Sequence, residues 1–234
     1  MALRLEELAK TIDCTLLDPR AGRGTVEDVC LRSHDLHLAS LCVLPQHVKP
    51  AADFLRGSDV KVCAVVGYPE GGSATKAKLA EAERCLDEGA GELEFALNVR
   101  AMLASDFALV RDELKSFTRA VRMRSANGGR GELVLKAVIG TGRLDDKRKK
   151  LACKIVELAE VDFAQTHANG APVAIHDVEL LRDFLPESVG VKASGGLETL
   201  DDALAMINAG AGRVGSPCAL EIMSYAAGLA RVPS

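Results

Sequence analysis

Short apolar runs alternate with amphipathic stretches along most of the chain. Eight runs have the length and β-branched content of buried strands. They cover residues 11–14, 39–44, 60–66, 91–97, 132–139, 161–166, 189–193 and 213–215. Between them, residues 73–88, 105–124, 145–159, 175–185 and 199–209 repeat apolar side chains with the period of a helix. No linker or low-complexity segment divides this pattern, so we expect residues 1–234 to form a single domain.

Eight strand–helix units in 234 residues predict an α/β fold, a (β/α)8 TIM barrel, for which about 250 residues are typical. An open doubly wound sheet is the alternative, because the pattern alone does not prove that the sheet closes. The dinucleotide fingerprint GxGxxG, common in such open sheets, does not follow the first strand. In a barrel, reactive groups gather where the strands end at their carboxyl side, which indicates where to look for chemistry.

Composition excludes several classes of function. Aromatic residues make up 3 % of the chain and tryptophan is absent, so the core must be built from Ala, Val, Leu and Ile. The net charge is −4 and no basic stripe appears, which argues against nucleic acid as a partner. No run approaches the roughly 18 apolar residues of a membrane span, and the N-terminus does not read as a signal peptide. We therefore expect a cytoplasmic protein without membrane contact.

The seven cysteines are widely spaced and odd in number, without a CxxC pair. This spacing favours reduced thiols over a disulfide framework or a zinc site. No HxH or HExxH spacing occurs either, so we predict no metal and no cofactor.

Charged side chains interrupt three of the apolar strands. Glu94 lies between Leu93 and Phe95 in strand four, and a buried carboxylate there indicates either acid–base chemistry or an ion pair. Lys136 in strand five and Lys192 in strand seven should lose hydration, which lowers a lysine pKa and frees the amine as a nucleophile. Alternatively, each lysine simply neutralises an acid such as Glu94 or the Asp13 carboxylate of strand one.

Strand six lies between the two lysine-bearing strands. Its period of two places Gln165 and His167 on one face, so Gln165 should share a site with Lys136 and Lys192. His167 is a candidate general acid or base, or a loop histidine bonded to the backbone. The four other histidines (His34, His37, His47 and His176) are expected on the surface, as is Lys78. A Gly-Gly turn after strand seven offers backbone N–H groups to an anion.

Eight stretches resemble the deoxyribose-phosphate aldolase family, class I lyases with a (β/α)8 fold. They read IDCTLL (12–17), SLCVLPQHV (40–48), VKVCAVVGYPEGG (60–72), GELEFALNV (91–99), LVLKAVIGTG (133–142), VDFAQT (161–166), VKASGG (191–196) and DALAMINAGAGRVG (202–215). VKASGG together with the VGYP turn makes the resemblance specific. It implies cleavage of 2-deoxyribose 5-phosphate to acetaldehyde and glyceraldehyde 3-phosphate through a lysine imine on strand six, without a metal.

The resemblance also implies roles for individual residues. Lys192 matches a strand-seven lysine that lowers the pKa of the imine-forming lysine by like charge, Lys136 matches a strand-five lysine, and Asp13 matches an acid of strand one. The phosphate-binding candidates are Gly195, Gly196, Asn169, Gly170, Gly215 and Ser216. A homodimer is a further expectation, since barrels of this family often form dimers.

The departures from the family pattern lie in the site. Gln165 stands where the family has its imine-forming lysine, and an amide cannot form that imine. Glu94 replaces an aspartate, Cys14 replaces a histidine, and His167 begins a segment that replaces Ser-Thr-Gly. After strand eight, GSPCA (215–219) replaces a serine-rich phosphate turn, with Pro217 removing a backbone donor. These changes argue against the family's ordinary reaction.

Three hypotheses follow. The first is a carbon–carbon lyase with a rebuilt site, acting on a small carbonyl compound with or without phosphate. Lys136 or Lys192 would then serve as a relocated amine, or Glu94 and His167 would exchange protons without an imine. The second is a non-catalytic relative that binds a small anion or a partner, and the third is weak 2-deoxyribose-5-phosphate aldolase activity.

Overall fold

Eight parallel strands close into a barrel in which each strand pairs with its neighbours in the chain and β1 also pairs with β8. The structure, a computed structural model, describes residues 4–128, 132–167 and 172–230. The strands are β1 (Ile12–Leu16), β2 (Ser40–Val43), β3 (Lys61–Val66), β4 (Glu92–Ala96), β5 (Val134–Ile139), β6 (Phe163–Thr166), β7 (Gly190–Ser194) and β8 (Arg213–Ser216). All eight predicted strands and the closed (β/α)8 fold are thus confirmed.

Helices surround the barrel. They are α1 (Leu5–Ala9), α2 (Arg23–Asp35), α3 (Val48–Phe54), α4 (Thr75–Asp87), α5 (Val99–Leu103), α6 (Phe107–Asn127), α7 (Asp146–Leu158), α8 (Ile175–Phe184), α9 (Leu200–Asn208) and α10 (Ala219–Ala230), with 3₁₀ turns at Pro45–His47 and Thr141–Arg143. Among the helices that the structure describes, none combines the length and apolar character needed to cross a lipid bilayer.

The strands separate two kinds of side chain because successive residues point to opposite faces. In β5, Leu135, Ala137 and Ile139 belong to the large apolar core between the barrel and its helices. Lys136 and Val138 alternate with them and point into the barrel. The same alternation in β1 places Asp13 inside and Cys14 in the outer core, where burial raises the pKa of the Cys14 thiol to about 12. Cys14 therefore serves as small core filling.

The prediction for Lys78 was wrong. It was expected to be solvated, but its side chain is fully buried and its Nζ lies 3.0 Å from Glu113 Oε2 and 3.2 Å from the Ala96 carbonyl oxygen. The ammonium also lies 4.4 Å from the centre of the Phe95 ring. Burial lowers the pKa of Lys78, and Glu113 opposes that shift. A single charged residue on an amphipathic helix does not reveal a partner on another helix, which explains the error.

The histidine predictions held for three of four residues. His34, His37 and His176 are exposed or hydrogen-bonded at the surface, to Ser58, Asp59 and Asp146 respectively. The prediction of a surface position was wrong for His47, because the 3₁₀ turn after β2 packs its side chain inside the protein.

Candidate active site

Six charged side chains fill the lower part of the barrel. This charged cluster consists of Asp13, Glu92, Glu94, Lys136, Lys192 and Arg213. The Asp13 carboxylate lies at its centre: Oδ2 is 2.7 Å from both Lys136 Nζ and Lys192 Nζ, and Oδ1 is 2.6 Å from Arg213 Nη1. The predicted contact between Asp13 and a lysine is therefore confirmed, with three partners instead of one.

Both lysines are held as ammonium ions. Lys136 Nζ also lies 2.6 Å from Glu92 Oε2, and Lys192 Nζ lies 2.5 Å from Glu94 Oε1. Burial by itself would lower both pKa values, but the surrounding carboxylates outweigh burial and raise them above the ordinary lysine value. Of the two alternatives for each lysine, the structure confirms that Lys136 and Lys192 neutralise acids. The predicted lowering of their pKa values was wrong, because the pairing with acids on other strands could not be read from strands five and seven alone.

The two central carboxylates are held ionised by the same contacts. Burial would raise the pKa of Glu94, but Lys192 and Lys136 lower it to about 2. Burial acts in the same direction on Asp13, where Lys136, Lys192 and Arg213 nevertheless hold the pKa well below its ordinary range. The cluster is thus a set of mutually neutralising charges, three positive and three negative.

Acidification should weaken the fold through this cluster. Because Glu94 and Asp13 have pKa values in the folded state below their ordinary values of 4.5 and 3.8, their contribution to stability is present above those values. It is lost as the pH falls toward the folded-state values, about 2 for Glu94. We expect the free energy of unfolding in urea to decrease steadily below pH 4.5. A Glu94→Gln variant should show a shallower decrease, and equal slopes for the two proteins would contradict the assignment.

A cavity of about 150 Å³ opens above the charged cluster, where the strands end. Its lining includes Glu94, Gln165, His167, Tyr68 and Ser194. Gln165 and His167 thus share the cavity with Glu94, as the period of strand six predicts. Lys136 and Lys192 lie beneath the cavity and are not part of its described lining.

Gln165 forms the cavity floor together with Glu94. Its Nε2 donates to Glu94 Oε2 at 3.0 Å, and the residue pairs in register with Lys192 on β7. Gln165 is 3 % exposed, and its Oε1 has no hydrogen-bond partner among the described residues. Because the ionised Glu94 carboxylate only accepts hydrogen bonds, the amide nitrogen must face it and the amide oxygen must point elsewhere.

His167 lies at the mouth of the cavity. Its ring packs edge-on against Tyr68, with 6.1 Å between the ring centres. The backbone of His167 is fixed by hydrogen bonds with Thr141 and Gly142. Partial burial lowers the pKa of the imidazole, and Glu94 opposes that shift. The ring is therefore neutral at pH 7 and able to accept a proton.

The predicted phosphate-binding residues fall into three groups: residues that line the cavity, residues outside the described part of the chain, and residues that the fold itself requires or uses. Gly195 and Gly215 line the cavity, whereas Asn169 and Gly170 lie outside the described residues. Gly196 has φ +66° and an added Cβ would lie 2.8 Å from the Pro172 Cα, so this glycine is required by the close approach of two turns.

Ser216 is fully buried, and its hydroxyl is already used within the protein. Its Oγ donates to the Leu197 carbonyl at 2.5 Å and accepts from the Cys218 N–H at 2.9 Å.

Two curated relatives are similar to this chain over nearly its whole length. The chain is 36 % identical over 221 residues to deoxyribose-phosphate aldolase of Caldanaerobacter subterraneus subsp. tengcongensis, covering 94 % of this chain and 93 % of the relative. It belongs to the deoxyribose-phosphate aldolase family. The enzyme of the same name from Clostridium kluyveri is 35 % identical and is covered to 98 % of its length, against 94 % of this chain. No family model matches the chain.

Two solved structures, both titled as aldolases, share this architecture. The aldolase QR15 superposes with a TM-score of 0.86 at 31 % identity, covering 94 % of this chain and 96 % of its own. A tetrameric deoxyribose phosphate aldolase from Aeropyrum pernix superposes with a TM-score of 0.84 at 27 % identity, with 97 % and 93 % covered.

Two members of the charged cluster were missed as site residues. Glu92 lies two residues before Glu94 on the same face of β4, and Arg213 opens β8 next to Lys192 in register. The alternation of side chains in strand four does place Glu92 on the same face as Glu94, so the sequence could have identified it. Strand β8 is very short and Arg213 is its first residue. The strand therefore offers too little alternation of side chains to show that the Arg213 guanidinium turns toward Asp13.

One group of side chains has the spacing of a possible metal site. Ligand atoms of Cys42, Cys63 and Glu94 lie within 4.8 Å of one another. However, Glu94 is already paired with Lys192, and the Lys136 ammonium lies 3.8 Å from Cys63 Sγ. Burial raises the pKa of the Cys63 thiol well above its ordinary value. A neutral thiol beside an ammonium group does not fit a cation, so packing of the barrel interior accounts for these residues.

Proposed function

We propose that this protein is an aldolase-type carbon–carbon lyase that acts on a small carbonyl compound without a lysine imine. The observation that carries the proposal is the arrangement of one cavity: a neutral histidine at its mouth, an ionised glutamate on its floor, and two lysines held in ion pairs beneath it. Membership of an aldolase family supports carbon–carbon cleavage as the reaction class.

The proposed reaction is a retro-aldol cleavage of a β-hydroxy carbonyl compound. The neutral His167 ring accepts the proton of the β-hydroxyl group as the bond between the α and β carbons breaks. The β carbon becomes the carbonyl carbon of the first product. The electron pair of the broken bond forms an enolate, and the imidazolium of His167 returns its proton to the α carbon to give the second carbonyl product.

The enolate oxygen needs a hydrogen-bond donor for this step. Ser194 lines the cavity at the end of β7, next to Gly195. We assign Ser194 to this position. Glu94 holds the Gln165 amide in place and keeps negative charge on the floor, which favours protonation of His167 during cleavage.

Imine trapping distinguishes the proposed imine-free reaction from one in which Lys136 or Lys192 forms an imine with the substrate. When acetaldehyde and borohydride are added, the unaltered protein should show no adduct on Lys136 or Lys192, because a protonated amine is not a nucleophile. A Gln165→Lys variant should acquire an adduct at position 165, since the neighbouring Lys192 ammonium lowers the pKa of the new amine. Peptide mass spectrometry locates the adduct. An adduct on Lys136 or Lys192 in the unaltered protein would exclude the imine-free reaction.

A second candidate is a relative that binds its ligand without turnover. The hydrogen bond from Gln165 to Glu94 favours this candidate, because it leaves the floor without a nucleophile. A coupled assay that measures acetaldehyde release from 2-deoxyribose and from its 5-phosphate distinguishes the two. Release above the uncatalysed rate supports the lyase, whereas binding with no release supports the non-catalytic relative.

A further inference from the structure

The His167 side chain is held by packing and not by hydrogen bonds. Its backbone N–H donates to Thr141 Oγ1 at 3.3 Å, and its carbonyl oxygen accepts from the Gly142 N–H at 3.1 Å. Neither ring nitrogen has a hydrogen-bond partner among the residues that the structure describes. The backbone contacts leave the side-chain torsions free, and the second torsion of a histidine has broad minima. Another group must therefore select the orientation of the ring.

Tyr68 provides the ring contact that His167 needs. The two ring centres lie 6.1 Å apart and the ring planes meet at 70°, the edge-to-face arrangement that aromatic pairs prefer. Both residues line the same cavity. A contact of this kind favours one arrangement over others by about two- to tenfold beyond the burial of area.

The loop that carries Tyr68 is itself fixed at both ends. The Gly67 N–H donates to the Glu81 carboxylate at 2.7 Å. Gly71 has φ +66°, and an added Cβ would collide with the Ala96 carbonyl oxygen, so the loop packs directly on the end of β4. The Tyr68 ring is therefore attached to a fixed backbone.

An ion pair joins this loop to the turn that holds the His167 backbone. Glu70 Oε1 lies 2.6 Å from Arg143 Nη1. Arg143 ends the 3₁₀ turn whose first two residues form the backbone contacts with His167. The loop and the turn are thereby held next to each other, which keeps the two rings in contact.

The contact also affects the charge of the imidazole. Burial lowers the pKa of His167, and the Glu94 carboxylate opposes that shift. The Tyr68 ring lies against the imidazole and contributes to its burial. Burial, Cys42 and Glu94 raise the pKa of the Tyr68 phenol above its ordinary value of 10. The phenol is therefore protonated at pH 7 and does not compete with His167 for a proton.

We propose that Tyr68 is a positioning residue whose ring holds the His167 imidazole in one orientation at the mouth of the cavity. The ring carries this role and the hydroxyl group does not. The inference rests on the proposed function for the effect of this orientation on catalysis, whereas the ring contact stands without it.

Proton NMR titration of the imidazole signals tests the contact. The chain has five histidines, and the His167 signal is the one that His167→Ala removes. In Tyr68→Ala the pKa of His167 should rise toward its ordinary value of 6.5, because the imidazole loses part of its cover. Tyr68→Phe keeps the ring and should leave this pKa unchanged, as should the control Tyr225→Ala, which removes an exposed tyrosine.

Two results of the titration would overturn the inference. The first is a His167 pKa in Tyr68→Ala that equals the value in the unaltered protein. The second is an equal pKa shift in Tyr68→Phe and Tyr68→Ala, which would assign the effect to the hydroxyl group.

The pH dependence of acetaldehyde release tests the consequence for catalysis. Well above the His167 pKa, Tyr68→Ala should lower kcat by about two- to tenfold, the preference that the ring contact provides. The acid limb of its kcat profile should move to higher pH, together with the His167 pKa. Tyr68→Phe should restore both properties. A change in KM with unchanged kcat would assign Tyr68 to ligand binding and refute the positioning role.

The two measurements separate this inference from the proposed function. If the His167 pKa rises in Tyr68→Ala but the unaltered protein releases no acetaldehyde, the lyase is refuted and the ring contact is retained. If His167→Ala abolishes release while Tyr68→Ala changes neither kcat nor the His167 pKa, the positioning role is refuted and the lyase is retained.

Discussion

Replacing Asp13 by asparagine is expected to lower the free energy of unfolding by about 3–5 kcal/mol. Asp13 is fully buried and touches Lys136, Lys192 and Arg213 within 2.7 Å. Asparagine preserves the shape of the side chain but removes its charge. The two buried lysines and the partly buried Arg213 would then face two carboxylates, and an uncompensated buried charge is strongly destabilising.

Urea unfolding at pH 7 measures this effect, and Asp59→Asn is the matched control. Asp59 also contacts two side chains, Lys10 at 2.8 Å and His37 at 3.0 Å, but its side chain is 45 % exposed. An exposed pair contributes about 0–1 kcal/mol. If Asp13→Asn and Asp59→Asn destabilise the protein equally, Asp13 is not the centre of the charged cluster.

Replacing His167 by alanine is expected to slow carbon–carbon cleavage by about 10²–10⁴-fold, the usual contribution of a positioned acid or base. The loss should appear in kcat more than in KM, because the ring moves a proton and does not hold the ligand alone. Acetaldehyde release from the better of the two deoxyribose substrates is the measurement. His176→Ala, which removes an exposed histidine hydrogen-bonded to Asp146, is the control.

The pH profile distinguishes proton transfer from a structural role. Partial burial lowers the pKa of His167, so the base form persists below the ordinary histidine pKa of 6.5. In the unaltered protein, kcat should fall as the pH drops through the lowered His167 pKa. His167→Ala should lack this limb of the profile. A variant with unchanged kcat, or with the same acid limb, would remove His167 from the reaction.

Most of the barrel could be predicted from local patterns. The eight strand predictions each overlap an observed strand, with ends that differ by a few residues, as for β1, predicted at 11–14 and observed at Ile12–Leu16. Strand period also placed Glu94, Gln165 and His167 toward one cavity. These features depend on the alternation of side chains along a single strand, which neighbouring residues reveal.

The charge state of the site could not be predicted in the same way. Lys136 reads as a desolvated lysine with a lowered pKa when strand five is considered alone. Its actual pKa is raised because Asp13, 123 positions away in the chain, and Glu92 on the neighbouring strand lie within 2.7 Å of its ammonium. The same long-range contacts turn Lys192 from a candidate nucleophile into a paired cation.

The sequence by itself determined the barrel, the family and the inward position of Gln165 between two lysine-bearing strands. Only the tertiary structure decided that both lysines are neutralised, that Arg213 and Glu92 complete the charged cluster, and that Gln165 Oε1 has no hydrogen-bond partner among the described residues. The physical reason is the range of the interactions. Strand periodicity is set by adjacent residues, whereas the sign of a pKa shift and the pairing of a buried polar atom depend on groups that closure of the barrel brings together.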